Sequence, residues 1–231
     1  MYKCIALIPV RKNDVYSSNG EVIKIGGRNI LDNTIATALK SKHIEGVFVA
    51  TDSEELAESA RSFGAQVPFL RPGNFSAPDV TLPQVLKFFL DKLRADCNVT
   101  TEIVVFMEVS HPYREAKLID EMVETMYVQQ LDSVFTVIEE KSNFWQFDQN
   151  GNIKRVYEGN LFTGRKNKNP LYREVLGLVC VTYERFINDA SIIGQKLGII
   201  PVRDVKGQID LYDDMGKLLM SYIEHRAGDG E

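Results

Sequence analysis

The chain has 231 residues, 44% of them hydrophobic, and carries 27 Lys and Arg against 32 Asp and Glu for a formal net charge of -5. That length and composition allow a sizeable core in one soluble globular domain, or one domain with an appendage. The acidic balance disfavours nucleic-acid partners while leaving room for a local basic pocket that holds a nucleotide. Cys4, Cys97 and Cys180 are odd in number and widely separated, so neither a disulfide framework nor a zinc site is expected and all three read as buried thiols. An apolar run starts almost at once, with no long apolar stretch and no cleavage signal. Neither secretion nor contact with a membrane is expected, and the cytoplasm is the default.

The run Cys4-Ile5-Ala6-Leu7-Ile8-Pro9-Val10 predicts a strand buried on both faces, as in a parallel sheet. Arg11 follows it, then a polar loop that matches neither the dinucleotide-binding nor the P-loop glycine pattern. Leu31, Ile35, Ala38 and Leu39 recur at helical spacing. Residues 46–50 read as a second strand, residues 51–55 as the start of a helix ending near Gly64, and Gln66 to Leu70 as a third strand placed near an edge by Pro68. After a loop over 74–83, Leu82, Val85, Leu86, Phe89, Leu90 and Leu93 form a helical stripe. Ile103 to Glu108 is a fourth strand, Leu118 to Met126 a helix, and Asp132 to Ile138 a fifth strand.

Strict alternation of strands and helices predicts an α/β fold whose mostly parallel sheet is covered by helices on both faces. Beyond Glu139 the rhythm breaks. Residues 142–169 are polar, with a hairpin signal at Asn150-Gly151 and a basic stretch from Arg165 to Lys168. Strand character returns at 176–181 and 198–202, a last helix is marked by Met215, Leu218, Leu219 and Tyr222, and residues 227–231 are expected to fray.

In a parallel sheet the polar residues that follow the strands converge on one rim. Here they are Arg11, Asp52, Arg71, Glu108 with Ser110, and Asp132. Arginines suit phosphate and carboxylate oxygens, and carboxylates suit a divalent cation or a sugar hydroxyl. Arg11 equally reads as a solvated strand end, Asp52 as a helix start and Arg114 as a solvated residue. Asp210, Asp213 and Asp214 gather before the last helix. They suit magnesium, although an acidic helix start accounts for the last two. His43, His111 and His225 share no ligand spacing, and no nucleophile emerges.

Several segments, in order, carry a resemblance. Ile8-Pro9-Val10-Arg11 resembles I-P-A-R, Gly26-Gly27-Arg28-Asn29-Ile30-Leu31 resembles G-G-K-P-L-I, and Val49-Ala50-Thr51-Asp52 resembles V-S-T-D. Val67-Pro68-Phe69-Leu70-Arg71-Pro72 resembles V-P-F-x-R-P, Ser110-His111-Pro112-Tyr113-Arg114 resembles T-S-P-L-R, Tyr172-Arg173-Glu174 through Gly177 resembles Y-x-E-N-G, and Ile209-Asp210 opens as I-D-I-D does. These are motifs of the cytidylyltransferases that activate acidic sugars, the CMP-sialic acid and CMP-nonulosonate synthetase family. The resemblance implies a Rossmann-like, GT-A-like nucleotidyltransferase spanning 1–231 as one domain, with a dimerisation arm at 142–175. It implies magnesium-dependent transfer of CMP from CTP to a sugar acid in a homodimer.

Carried over, Arg11, Lys24 and Asp210 take the catalytic places, and Arg71, Asp79 and Ser110 join Arg11 and Lys24 around the nucleotide. Glu108, Arg165 and Tyr172 face the sugar, and Asp210 and Asp213 face the metal. The chain departs from the pattern in three places. The G-S-K after the first arginine is replaced by Lys12-Asn13-Asp14, Glu108 stands where a glutamine is expected, and Tyr212 replaces the second aspartate of the metal motif. Two alternatives therefore stand beside the enzyme: a diverged member that binds a nucleotide or sugar without turnover, and a sugar nucleotidyltransferase with another base.

Overall fold

Strand β1 (Tyr2–Pro9) lies between two parallel neighbours, β4 (Gly46–Ala50) and β5 (Thr101–Met107), with Leu7 in register with Phe48 and Phe106. The computed structural model describes residues 2–15, 22–77, 79–156, 164–182, 185 and 191–228, and only the backbone of 165, 176–182, 227 and 228. Side chains alternate across a strand, and both faces of β1 are apolar. Cys4, Ala6 and Ile8 face helices α1 (Ile30–Leu39), α2 (Glu54–Ser62) and α4 (Ala116–Gln129), while Ile5 and Leu7 face α3 (Leu82–Cys97). The expected covering of the sheet on both faces is present.

The rest of the sheet extends beyond β5 through β9 (Leu171–Thr182), β6 (Ser133–Glu140) and β10 (Leu197–Pro201), giving the order β10-β6-β9-β5-β1-β4. β9 runs antiparallel to both neighbours, and β6 and β10 pair in parallel. Two short hairpins stand apart from this sheet: β2 (Lys24–Ile25) with β3 (Arg28–Asn29), and β7 (Trp145–Phe147) with β8 (Ile153–Arg155). The second turns at Asn150-Gly151 as expected. Gly151 adopts φ +79°, and Asp148 accepts the amides of Asn150 and Asn152, each at 2.9 Å. Helix α5 (Asp214–Gly228) closes the described chain.

The structure corrects several expectations. Gln66 to Leu70 is not a strand: only Gln66 bridges Phe48, and Pro68 has no amide with which to extend the ladder. Asp132 lies before β6, at the end of the sheet opposite the rim, where its carboxylate accepts the amides of Gln195 and Lys196 at 2.8 and 2.9 Å. Cys4 is buried, which pushes its thiol up to about 12, whereas Cys97 is exposed because residues 94–98 of the last turn of α3 stand clear of the core. The side chain of Cys180 is outside the described set. Ala227 and Gly228 remain helical, and residues 229–231 lie outside the described residues.

Phe89 is fully buried on α3 and packs on Phe69 with ring centroids 4.7 Å apart. Phe89→Ala should cost about 3–5 kcal/mol, read as a lower urea midpoint at unchanged slope.

Candidate active site

The carboxyl ends of β1 and β5 meet at a cleft of about 240 Å³, which Arg71, bonded to Thr51 just after β4, also lines. Its lining combines the apolar Phe75, Ala77, Val80, Leu82 and Val85 with the polar and charged Arg11, Asp14, Arg71, Glu108 and Tyr212. Apolar residues and two guanidinium groups lining one cleft suit a ligand that joins a flat ring to an anion.

Carboxylates that follow the strands hold the cations of the cleft in place. Asp14, in the short 3-10 turn Lys12–Val15, accepts the Arg11 amide at 2.6 Å and its Nε at 3.3 Å, and this pairing raises the Arg11 guanidinium above its ordinary value. Asp52 accepts the amide of Lys12 at 3.2 Å and stands 3.7 Å from Nη2 of Arg71. Helix α2 is instead capped by Ser53, which accepts the amide of Leu56 at 3.4 Å, so Asp52 is free to serve the rim.

The Arg71 side chain is only 4% exposed. Its amide donates to the carbonyl of Thr51 at 2.7 Å and its Nε to Ser76 Oγ at 3.1 Å, while Nη2 has no hydrogen-bond partner. Burial lowers its affinity for a proton, against the opposing pull of Asp52. A buried guanidinium with an unanswered N–H beside a cleft favours an acceptor arriving there.

Beside the cleft lies a second cluster. Burial pushes the Glu108 carboxyl up to about 7, opposed by Arg114 and reinforced by Asp210 and Asp14. Arg114 is buried, donates to the Glu108 carbonyl and is itself shifted down by burial. His111 is buried beside it and held down to about 4, first by burial and then by Arg114; its Nδ1 is 3.0 Å from Ser110 Oγ.

The carbonyl of Ser110 accepts the amide of Leu211 at 2.9 Å, which ties the 209–213 segment to the rim. Gly216 lets the first turn of α5 lie against the backbone of Asp210. A Cβ there would stand 1.9 Å from the Asp210 carbonyl oxygen.

Of the residues expected to act, the cleft wall brings together Arg11, Arg71 and Glu108, with Ser110 and Asp210 bonded or charge-coupled to the same cluster. Lys24 is exposed on β2, Asp79 is exposed beside Val80, and Tyr172 is exposed on β9 opposite Glu139; none of the three lines the cleft. Asp213 accepts the amide of Met215 at 3.2 Å at the start of α5, its helix-start alternative. Asp210 accepts the amide of Tyr212 at 3.0 Å. Arg165 begins a 3-10 turn, Arg165–Asn167, and its side chain is outside the described set.

Sequence reading passed over Asp14 and assigned no role to His111 or Arg114. Asp14 three residues after an arginine at a strand end was a signal for the turn; nothing in sequence marked Arg114 and His111 as buried.

The sequence matches the cytidylyltransferase family over residues 19–219. The chain belongs to that family. This cytidylyltransferase is 23% identical over 214 residues to the CMP-N,N'-diacetyllegionaminic acid synthase of Legionella pneumophila, covering 90% of each chain. A 122-residue stretch, 53% of this chain and 28% of the relative, is 29% identical to the N-acylneuraminate cytidylyltransferase of Escherichia coli O18:K1:H7. Its fold is that of a solved CMP:2-keto-3-deoxy-manno-octonic acid synthetase complexed with CTP, at a TM-score of 0.67 with 12% identity over 97% of this chain and 99% of that one. The 4-diphosphocytidyl-2C-methyl-D-erythritol synthase of Anaerococcus prevotii is equally close in fold, with a TM-score of 0.67, 13% identity and 96% of each chain covered.

A carboxyl raised by folding binds its proton more tightly in the folded state. Stability contributed by Glu108 is therefore present below about pH 4.5 and is lost as pH rises through about 7. His111, lowered to about 4, has the opposite slope between there and 6.5. Both proteins share it in a comparison of wild type with Glu108→Gln. The cytidylyltransferase should lose melting temperature relative to Glu108→Gln as pH rises from 4.5 to 7.5, measured without added nucleotide or metal. A constant difference would remove Glu108 from the buried titrating set.

Proposed function

We propose that this cytidylyltransferase transfers CMP from CTP to a hydroxyl of a sugar acid of the sialic acid and nonulosonate class, releasing pyrophosphate. The observation that carries the reading is one cleft lined by Arg11, by buried Arg71 whose Nη2 has no hydrogen-bond partner, and by apolar residues, in a member of this family. The relatives named for legionaminic and acylneuraminic acids direct the acceptor toward acidic sugars.

In the reaction the sugar hydroxyl oxygen bonds to the α-phosphorus of CTP. The bond from that phosphorus to the bridging oxygen breaks, and its electron pair leaves with pyrophosphate while the hydroxyl proton is released. Such transfers depend on positioning and on cations that take up charge. Arg71 and Arg11 supply fixed charge at the cleft, Arg71 toward the nucleotide and Arg11, with Lys24 from the adjoining hairpin, toward the triphosphate. Asp79 and Ser110 complete the nucleotide side. Glu108, held partly protonated at neutral pH, presents a donor instead of a second anion to an acidic sugar. Arg165 and Tyr172 complete the sugar side.

Magnesium fits the donor chemistry. Among the described residues no group of three His, Cys, Asp or Glu side chains gathers to hold a metal alone, but magnesium is ordinarily held by one or two carboxylates together with substrate phosphates and water. Asp210, with Asp213 nearby in sequence, would hold it against the triphosphate. When bound it neutralises phosphate charge and orients the triphosphate. A CTP-consuming enzyme of this kind works where CTP is held, in the cytoplasm; among the described residues no helix is long and apolar enough to cross a membrane.

A second reading, a member that binds nucleotide without turnover, draws on the Arg11 and Asp14 pair, which already answers one of the two guanidinium groups.

The deciding experiment measures pyrophosphate release from CTP, ATP, GTP and UTP with magnesium. The acceptors are N-acetylneuraminic, N,N'-diacetyllegionaminic and 2-keto-3-deoxy-manno-octonic acids. Release confined to CTP and one or more acids is expected. Arg71→Ala should weaken CTP binding by roughly 1.5–3 kcal/mol, and Asp210→Asn should abolish turnover at unchanged melting temperature. CTP binding without release with any acid would favour the second reading, and release with another nucleotide would reassign the base.

The arm proposal, residues 142–175, has its own support. Hairpin β7–β8 pairs with no other strand among the described residues, and it exposes Trp145, Phe147 and Ile153 at 57, 72 and 63%. A hairpin of three-residue strands is marginal alone, and such an apolar patch calls for a covering surface. A second copy of the chain, with its own arm reciprocating, is the occupant we propose. Trp145→Ser with Phe147→Ser should convert a dimer to a monomer in light scattering; a monomeric wild type would overturn it.

A further inference from the structure

Glu224, on α5, joins parts of the chain that are remote in sequence. Its Oε2 accepts the amide of Gly26, 198 positions away, at 2.7 Å, and its Oε1 accepts the hydroxyl of Tyr113 at 3.0 Å. Gly26 and Gly27 form the two-residue turn between β2 and β3 with φ of +54° and +79°, the left-handed region that a tight hairpin of this kind requires. A Cβ at either glycine would meet nothing within 4 Å, so the two glycines themselves are not held by packing. The strands of the hairpin are fixed: Ile23 and, next to the turn, Ile25 pack on the core, the Ile23 amide donates to the carbonyl of Val15 at 2.9 Å, and the Ile30 amide donates to the carbonyl of Ile23 at 3.1 Å.

Tyr113 belongs to the loop after β5, the loop that contains Ser110 and Arg114. That loop is also tied to α1, through Asn33 Nδ2 donating to the carbonyl of Pro112 at 2.5 Å. Both glutamate oxygens therefore act as acceptors, one for the loop after β5 and one for the first glycine of the turn. Only a carboxylate accepts at both oxygens; glutamine accepts at one.

We propose that Glu224 is a positioning residue that clamps the Gly26–Gly27 turn, and with it Lys24 on β2, to the loop after β5. The inference rests on the proposed function in one respect, that Lys24 serves the triphosphate of CTP. Glu224 does not line the cleft. It acts by limiting where the lysine-bearing hairpin sits relative to the cleft.

The test has two arms on the full chain. Amide exchange, which needs no substrate, should be at least tenfold faster at Gly26 in Glu224→Ala than in wild type, with exchange in β1 and β5 unchanged. Unaltered exchange at Gly26 overturns the clamp.

In the second arm, calorimetric titration with magnesium compares CTP with CMP, which lacks the phosphates assigned to Lys24. Glu224→Ala should bind CTP about tenfold more weakly and CMP within twofold of wild type. Glu224→Gln and Tyr113→Phe should fall between wild type and Glu224→Ala. Adding Glu224→Ala to Lys24→Ala should change CTP affinity less than twofold, because the two act through one hairpin. A purely structural role would instead lower the melting temperature and leave the ratio of CTP to CMP affinity unmoved, which overturns the positioning role. If wild type binds no CTP, the proposed function fails together with the role given to Lys24; a clamp failure is recognised separately by the exchange arm.

Discussion

Burial of β1 on both faces is the constraint from which the site follows. A strand with helices above and below makes its lateral contacts through hydrogen bonds to β4 and β5, and parallel pairing of the three brings their carboxyl ends to one rim. Polar residues are excluded from the strand interiors and appear directly after them. Arg11 after β1, Asp52 after β4 and Glu108 after β5 are thus neighbours in space although they are remote in sequence. The apolar lining of the cleft draws on the opposite layer, since Leu82 and Val85 belong to α3, the helix covering the second face.

Charge placement at this rim is governed by burial more than by number. Arg71 is almost wholly enclosed, and the carboxylate of Asp52 offsets part of the cost of enclosing it. The same Asp52 accepts the amide of Lys12, so a single carboxylate orients both the buried guanidinium and the start of the loop after β1. Next to this rim Arg114 lies against Glu108, with His111 beside Arg114. There burial raises the Glu108 carboxyl against the pull of Arg114, and burial lowers both His111 and Arg114. A rim built in this way holds fixed dipoles and charges in place before any ligand arrives, as transfer of a charged group requires.

Much of the architecture was legible as hydrophobic period. β1, β4 and β5, the stripe of α3 and the turn at Asn150-Gly151 were each visible as an apolar run, a 3.6-residue repeat or a turn dipeptide. The failures share a cause. Gln66 to Leu70 has strand-like composition, but Pro68 removes the donor that continued pairing needs. Cys97 falls in step with the stripe of α3 but beyond the edge of the core. Asp132 was expected on the functional rim, although a residue that precedes a parallel strand must lie at the other end of the sheet.

Motifs and periodicity are local properties of the chain, so the family, the strand and helix order, and the residue types able to meet a nucleotide were legible without a fold. Tertiary structure decided the rest. It made Arg114 a buried partner of Glu108 instead of a solvated residue, turned Asp52 from a helix cap into the counter-charge of Arg71, and brought Glu224 to Gly26 across 198 positions. Burial and pairing of charges depend on which distant segments share a layer, and that is set by the packing of helices on the sheet, not by any residue's neighbours in the chain.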